Sequence, residues 1–76
     1  MEVREIEFED KVDNETVARY LEAIARDIRE SRFSFEAGGE KLQFPVMGLI
    51  EFELEADYNL DKKKYSVKLE LDWRHP

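Results

Sequence analysis

Hydrophobic residues follow two different spacings along the chain. In residues 3–12, Ile6 and Phe8 alternate with glutamates, which predicts a first β-strand although Asp10 interrupts the apolar row. In residues 15–31 the apolar positions recur every three or four residues, which predicts an amphipathic helix with its N-cap at Asp13 or Asn14. The predicted apolar stripe of this helix consists of Val17, Tyr20, Leu21, Ile24, Ala25 and Ile28.

After residue 31 the spacing returns to two and predicts two further strands. Apolar residues alternate with polar ones at Phe33, Phe35 and Ala37, and again after the Gly38-Gly39 pair. Two glycines can adopt the positive φ angles of a tight turn without steric cost, so the segment is typical of a hairpin. Pro45 cannot donate a backbone hydrogen bond and therefore marks a strand end or a sheet edge.

The C-terminal half has the most regular alternation in the chain. Residues 50–58 alternate apolar side chains with glutamate and aspartate, and residues 65–73 repeat the alternation after a polar turn. Such a pattern is typical of an antiparallel hairpin with one face in water. The predicted fold class is therefore α+β, in the order β-α-β-β-β-β. We expect a single helix to pack on one face of a mostly antiparallel sheet, with all nine aromatic side chains facing inward.

Length and composition narrow the choice of function. Residues 1–76 suffice for one domain, and 42% of them are hydrophobic, which is too many for a disordered chain. The absence of cysteine excludes disulfides and thiolate metal sites. A net charge of −7 repels phosphates, and no stretch approaches ~20 apolar residues, so we expect neither nucleic acid nor membrane as a partner.

Three segments together resemble a known family. They are the alanine-rich helix of residues 17–25, the aromatic hairpin through Gly38-Gly39, and the last strand, which ends Leu69-Glu70-Leu71-Asp72-Trp73-Arg74. They resemble the amphi-Trp domain, a small archaeal and bacterial family, over residues 6–74. The resemblance implies a compact α+β module of uncharacterised function and brings no catalytic residues. Trp73 matches the family's tryptophan, and its inward phase favours a packing role.

The sequence gives little support for catalytic or metal-binding residues. Residues 57–61 imitate the start of a calcium loop, but Lys62 and Lys68 stand where that loop needs glycine and glutamate. The single histidine, His75, lies beyond the last patterned residue, and a chain end rarely provides the partner and the pocket that a general base needs. We therefore expect no catalytic residue, no bound metal and no cofactor.

An acidic row along one predicted strand is the first candidate partner surface. On a flat, hydrated sheet these carboxylates should behave as ordinary surface groups, with Lys64 and Lys68 as neighbours across the strands. The row is thus either a solubilising face or a docking surface for a basic protein. Its members are Glu51, Glu53, Glu55 and Asp57.

An apolar connector, residues 45–49, is the second candidate surface. Val46, Met47 and Leu49 beside an edge strand are typical of a partner site or a homodimer seam, but the connector could also fold over the end of the helix. We expect a non-catalytic protein-interaction module with an unidentified, basic partner or a second copy as ligand. The alternative is a small-molecule or metal-dependent enzyme with carboxylates and Tyr58 or Tyr65 at an oligomer interface.

The expected location is the cytoplasm. Residues 1–5 lack the basic and apolar regions of a secretory signal.

Overall fold

The computed structural model describes residues 2–75 and contains one helix followed by four strands. The elements are α1 (Asn14–Arg29), β1 (Arg32–Ala37), β2 (Glu40–Pro45), β3 (Glu51–Asn59) and β4 (Lys64–Asp72). The strands form two antiparallel sheets of two strands each, β1 with β2 and β3 with β4. The α+β class is confirmed. The chain divides into two compact units, a helical unit that ends at Val46 and a hairpin unit that begins at Met47.

Local signals account for both ends of α1. The Asp13 carboxylate accepts a hydrogen bond from the Thr16 backbone N–H at 3.0 Å and so satisfies one of the free amides of the first turn. At the other end, Ser31 has a φ of 62°, a left-handed conformation that stops the helix and leads into β1. The apolar side of α1 packs against β1 within the helical unit.

The hairpin of β1 and β2 has the turn that its glycines predict. Gly38 and Gly39 have φ angles of 59° and 79°, and the register places Phe33 opposite Phe44. These two rings stack with centroids 5.3 Å apart. The Val46 backbone N–H donates to the Ser31 carbonyl at 2.9 Å and extends the pairing beyond the strand ends.

The β3–β4 hairpin is longer and turns at residues 60–63. The Asn59 side-chain oxygen accepts a hydrogen bond from the Lys62 backbone N–H at 3.1 Å. Lys63 has a φ of 51°, which glycine tolerates better than a residue with a side chain. Each strand has nine residues, and all nine positions are paired in register from Glu51 opposite Asp72 to Asn59 opposite Lys64.

The predicted first strand is wrong. Residues 2–13 contain neither a helix nor a strand. The segment is instead held by side chains, because the Phe8 ring meets the Tyr20 ring edge-on at 5.9 Å. Two alternating apolar residues followed by Asp10 are too few to define a sheet face, so the local pattern had little to bury along a strand.

Two further expectations need correction. The four strands form two sheets instead of one, and the helix packs on the sheet made of β1 and β2. The aromatic side chains are not all buried either. Six of the nine are more than a third exposed: Phe8, Tyr20, Phe44, Phe52, Tyr58 and Tyr65. Among the residues described, Val46 is the one hydrophobic side chain that reaches full burial, at 4% exposure.

Candidate functional site

The four carboxylates of the predicted acidic row lie on one side of β3. Glu51, Glu53, Glu55 and Asp57 are alternate residues of this strand, and all four are exposed. We call their side of the β3–β4 hairpin the acidic face. It also carries the β4 residues opposite them, Asp72, Glu70, Lys68 and Ser66.

The strand register sets the charge pattern of the acidic face. The expected lysine partner is present for Glu55, which lies opposite Lys68, whereas Lys64 lies opposite Asn59. Glu53 lies opposite Glu70, and Glu51 opposite Asp72. Like charges at directly opposite positions oppose strand pairing. The acidic face is therefore a two-strand cluster of four carboxylates at its open end, with a mixed-charge region toward the turn.

This clustering changes the acidity of one group. The carboxylate of Asp72, and next that of Glu53, raise the pKa of Glu70 above its ordinary value. The neutral form is favoured because it removes one negative charge from the repelling group. Sequence reasoning did not pair Glu70 and Asp72 with Glu53 and Glu51, although counting outward from the turn of residues 60–63 gives the register that brings them together.

The opposite side of the same hairpin is apolar, and we call it the apolar face. Four directly opposite pairs make it up: Phe52 with Leu71, Leu54 with Leu69, Ala56 with Val67, and Tyr58 with Tyr65. No charged residue interrupts these pairs. Seven of the eight side chains are exposed, and Leu71 is half-buried. Monomeric proteins rarely expose larger contiguous apolar patches than this one.

The apolar connector contributes less surface than its sequence suggests. Val46 is buried and belongs to the core of the helical unit, and Met47 is half-buried. Leu49 is 98% exposed. Of the three connector residues named as a partner surface, Leu49 alone presents a fully accessible side chain.

Tyrosines and carboxylates of the hairpin are separated by the sheet. Tyr58 and Tyr65 lie opposite each other on the apolar face, whereas Asp57 and its neighbours lie on the acidic face. Within residues 2–75 no group of three or more carboxylate or histidine side chains is arranged to hold a metal ion. The Asn59 oxygen of the calcium-like segment is already hydrogen-bonded to the Lys62 backbone.

A hollow of about 550 Å³ lies in the helical unit beneath α1. Four rings line it, those of Phe8, Tyr20, Phe33 and Phe35. The carboxylate of Asp27 also lines it and accepts a hydrogen bond from the Ser34 backbone N–H at 3.3 Å, which ties the end of the helix to β1. The hollow is thus an open, largely apolar depression of the helical unit.

Trp73 lies just after β4 and is half-buried. It borders a shallow depression together with Ile50 and Arg74.

No helix in the described part of the chain combines the length and the apolar character that a membrane crossing requires.

Comparison with known families gives a match over the full length. A family model described as the Amphi-Trp domain covers residues 1–76. The chain belongs to the amphi-Trp domain family. The resemblance inferred from the helix, the glycine turn and the final strand is thereby confirmed. No curated protein and no solved structure matches this amphi-Trp chain.

Proposed function

We propose that this amphi-Trp domain is a non-catalytic protein-interaction module whose docking element is the β3–β4 hairpin. The observation that carries the proposal is the exposure of the apolar face, where four consecutive apolar pairs meet solvent. Contiguous apolar surface of this kind marks interaction sites. The acidic face on the other side keeps the hairpin hydrated while the apolar face is covered.

Energetics support a partner on the apolar face. A two-stranded hairpin has marginal stability in water by itself and gains independent stability when its apolar face packs against another layer. Burial of apolar surface contributes about 25 cal/mol per Å² removed from water. A protein that covers Phe52, Leu54 and Tyr58 would therefore stabilise the hairpin as it binds.

The acidic face is the second surface of the proposal, for a protein with basic side chains. Its support is the cluster formed by Glu53, Glu70 and Asp72, whose mutual repulsion a basic partner would relieve. Charge complementarity mainly accelerates encounter, and its effect is screened by salt. The exposed side chain of Leu49 adds the connector to the proposed docking surface. The proposed location of the protein is the cytoplasm, which rests on the sequence expectation alone.

Two matched variants test the docking element. Val67 lies on the apolar face and Ser66, its neighbour in β4, on the acidic face. We expect Val67→Asn to lose most of the protein captured from native cell extract by the immobilised domain, and Ser66→Asn to retain it. Capture that depends on the apolar face should persist at 0.5 M salt, about five times the ionic strength at which the Debye length is ~10 Å. Equal capture by both variants would contradict the assignment of the apolar face.

A metal titration tests the non-catalytic part of the proposal. Ca²⁺, Mg²⁺ and Zn²⁺ are added separately while backbone amide chemical shifts are recorded. The proposal expects no saturable shift in residues 57–61 or along the four carboxylates of β3. Saturable movement confined to either segment would favour a metal-dependent site over an interaction module.

A further inference from the structure

We propose that the apolar face of the β3–β4 hairpin is covered by a second copy of the same chain, so that two hairpins pack face to face. The inference rests on the proposed function and names the partner of that surface. Three features of the face support it: its exposed area, its freedom from charge, and the distribution of large and small side chains along it.

The exposed area matches what a small dimer requires. Phe52, Tyr58 and Tyr65 are 64%, 67% and 75% exposed, and Leu54, Val67 and Leu69 are between 45% and 72% exposed. Since an aromatic side chain can bury ~150–250 Å², these six residues present about 600 Å² per copy. Two copies together would bury about 1,200 Å², the lower bound of stable interfaces. Each copy also presents as much apolar surface as the largest patches on ordinary monomers.

Charge selects which surfaces of two copies can meet. Each chain carries a net charge of −7, and the acidic face concentrates four carboxylates at Glu51, Glu53, Glu70 and Asp72. Contact between two acidic faces would bring these like charges together and is therefore disfavoured. Contact through the apolar face leaves them on the two outer sides, because side chains of alternate residues point to opposite sides of a strand.

Side-chain size varies along the apolar face in a way that suits a two-fold arrangement. Aromatic residues stand toward the ends, Phe52 at one and the Tyr58–Tyr65 pair at the other, while Leu54 with Leu69 and Ala56 with Val67 occupy the two positions between them. Packed sheets lie about 10 Å apart with interdigitating side chains. A two-fold axis near Ala56 would let the small residue face its own copy and place the tyrosine rings of each hairpin beside Leu54 and Leu69 of the other.

Cysteine cross-linking tests this geometry, because the chain contains no cysteine of its own. Ala56→Cys and Val67→Cys place a thiol at the centre of the apolar face, and Asp57→Cys and Ser66→Cys place one at the next pair, on the acidic face. Each purified full chain is oxidised mildly with dissolved oxygen, which takes up the two thiol hydrogens as the S–S bond forms. We expect a covalent dimer from at least one of the first two variants and from neither of the second two. The wild-type chain should sediment at twice its monomer mass at micromolar concentration.

The outcomes separate this inference from the proposed function. A wild-type chain that stays monomeric at all concentrations, or a covalent dimer from Asp57→Cys or Ser66→Cys alone, would overturn the face-to-face pairing. If the chain is monomeric and Val67→Asn still abolishes capture of a different protein, the interaction function stands and the inference of a second copy fails.

Discussion

The helical unit and the hairpin unit differ in how far they satisfy the same physical requirement. In the helical unit, α1 packs on β1, two phenylalanine rings stack across the strands, and Val46 is buried. The hairpin unit has longer strands and cleaner alternation, yet every residue of β3 is exposed. Alternation therefore separates an apolar side from a polar one, but burial requires a second layer. The hairpin unit has one apolar face and one acidic face, but its described residues form no second layer of their own that could cover the apolar face.

The largest expected contrast between the two units concerns a phenylalanine in each. Phe33 is half-buried and contacts the rings of both Phe35 and Phe44. We expect Phe33→Ala to lower the free energy of unfolding by about 2–3 kcal/mol, because it removes ring contacts and leaves a void. Urea unfolding followed by far-UV circular dichroism measures the change.

Phe52→Ala is the matched substitution in the hairpin unit. Since Phe52 is largely exposed in a single chain, the same measurement at concentrations below dimerisation should give a loss under about 1 kcal/mol. At high concentration the loss should grow if two copies pack through the apolar face. Equal losses for Phe33→Ala and Phe52→Ala in the dilute monomer would remove the distinction between the two units.

The two hairpin turns provide a second, smaller contrast. The β1–β2 turn places glycine at both positions of positive φ, whereas the β3–β4 turn places Lys63 at a φ of 51°. A left-handed conformation costs a residue with a side chain roughly 1–2 kcal/mol, although glycine gives back part of this through its greater freedom when unfolded. We expect Lys63→Gly to stabilise the hairpin unit by about 0.5–1 kcal/mol, measured as slower amide hydrogen exchange in β3 and β4.

Lys62→Gly is the control for this turn, since φ at residue 62 is not positive. At residue 62 glycine should not stabilise the hairpin unit, because it increases the conformational freedom of the unfolded chain without relieving any backbone strain. A gain from Lys62→Gly equal to that from Lys63→Gly would mean that charge removal, and not backbone conformation, stabilises the turn.

The sequence predicted these local features well because they depend on neighbouring residues. Helix α1 was expected over residues 15–31 and occupies Asn14–Arg29, with Asp13 as its N-cap. The two glycines gave the β1–β2 turn, and strict alternation assigned the two faces of β3 and β4. Each of these signals is contained within a few residues.

Features that depend on distant parts of the chain were harder to predict. The strand expected at residues 3–12 failed because a strand needs a partner edge, which alternation alone does not reveal. The opposition of Glu53 and Glu70 is predictable from the sequence, since the turn of residues 60–63 fixes the register of β3 and β4.

The smallest expected contrast is the effect of acid on the stability of the two units, which it changes in opposite directions. Hydrogen bonds from Thr16 lower the pKa of Asp13 below its ordinary value of 3.8. The N-cap therefore contributes its full stability to α1 above pH 3.8, and this contribution is lost as the pH falls through the lower pKa that Asp13 has in the folded chain. For Glu70 the neighbouring Asp72 and Glu53 raise the pKa above 4.5, so repulsion opposes folding at neutral pH. This repulsion is relieved as the pH falls through the raised value toward 4.5.

Amide hydrogen exchange between pH 7 and pH 3, corrected for the intrinsic rate at each pH, should resolve the two effects. Protection in β3 and β4 should rise between neutral pH and about 4.5, while protection in α1 stays constant and then falls below 3.8. Glu70→Gln should raise hairpin protection at pH 7 and remove its rise in acid. Glu55→Gln, which loses the attraction to Lys68, should lower protection slightly instead. If both glutamine variants shift protection in the same direction, then overall charge and not the strand register controls the hairpin.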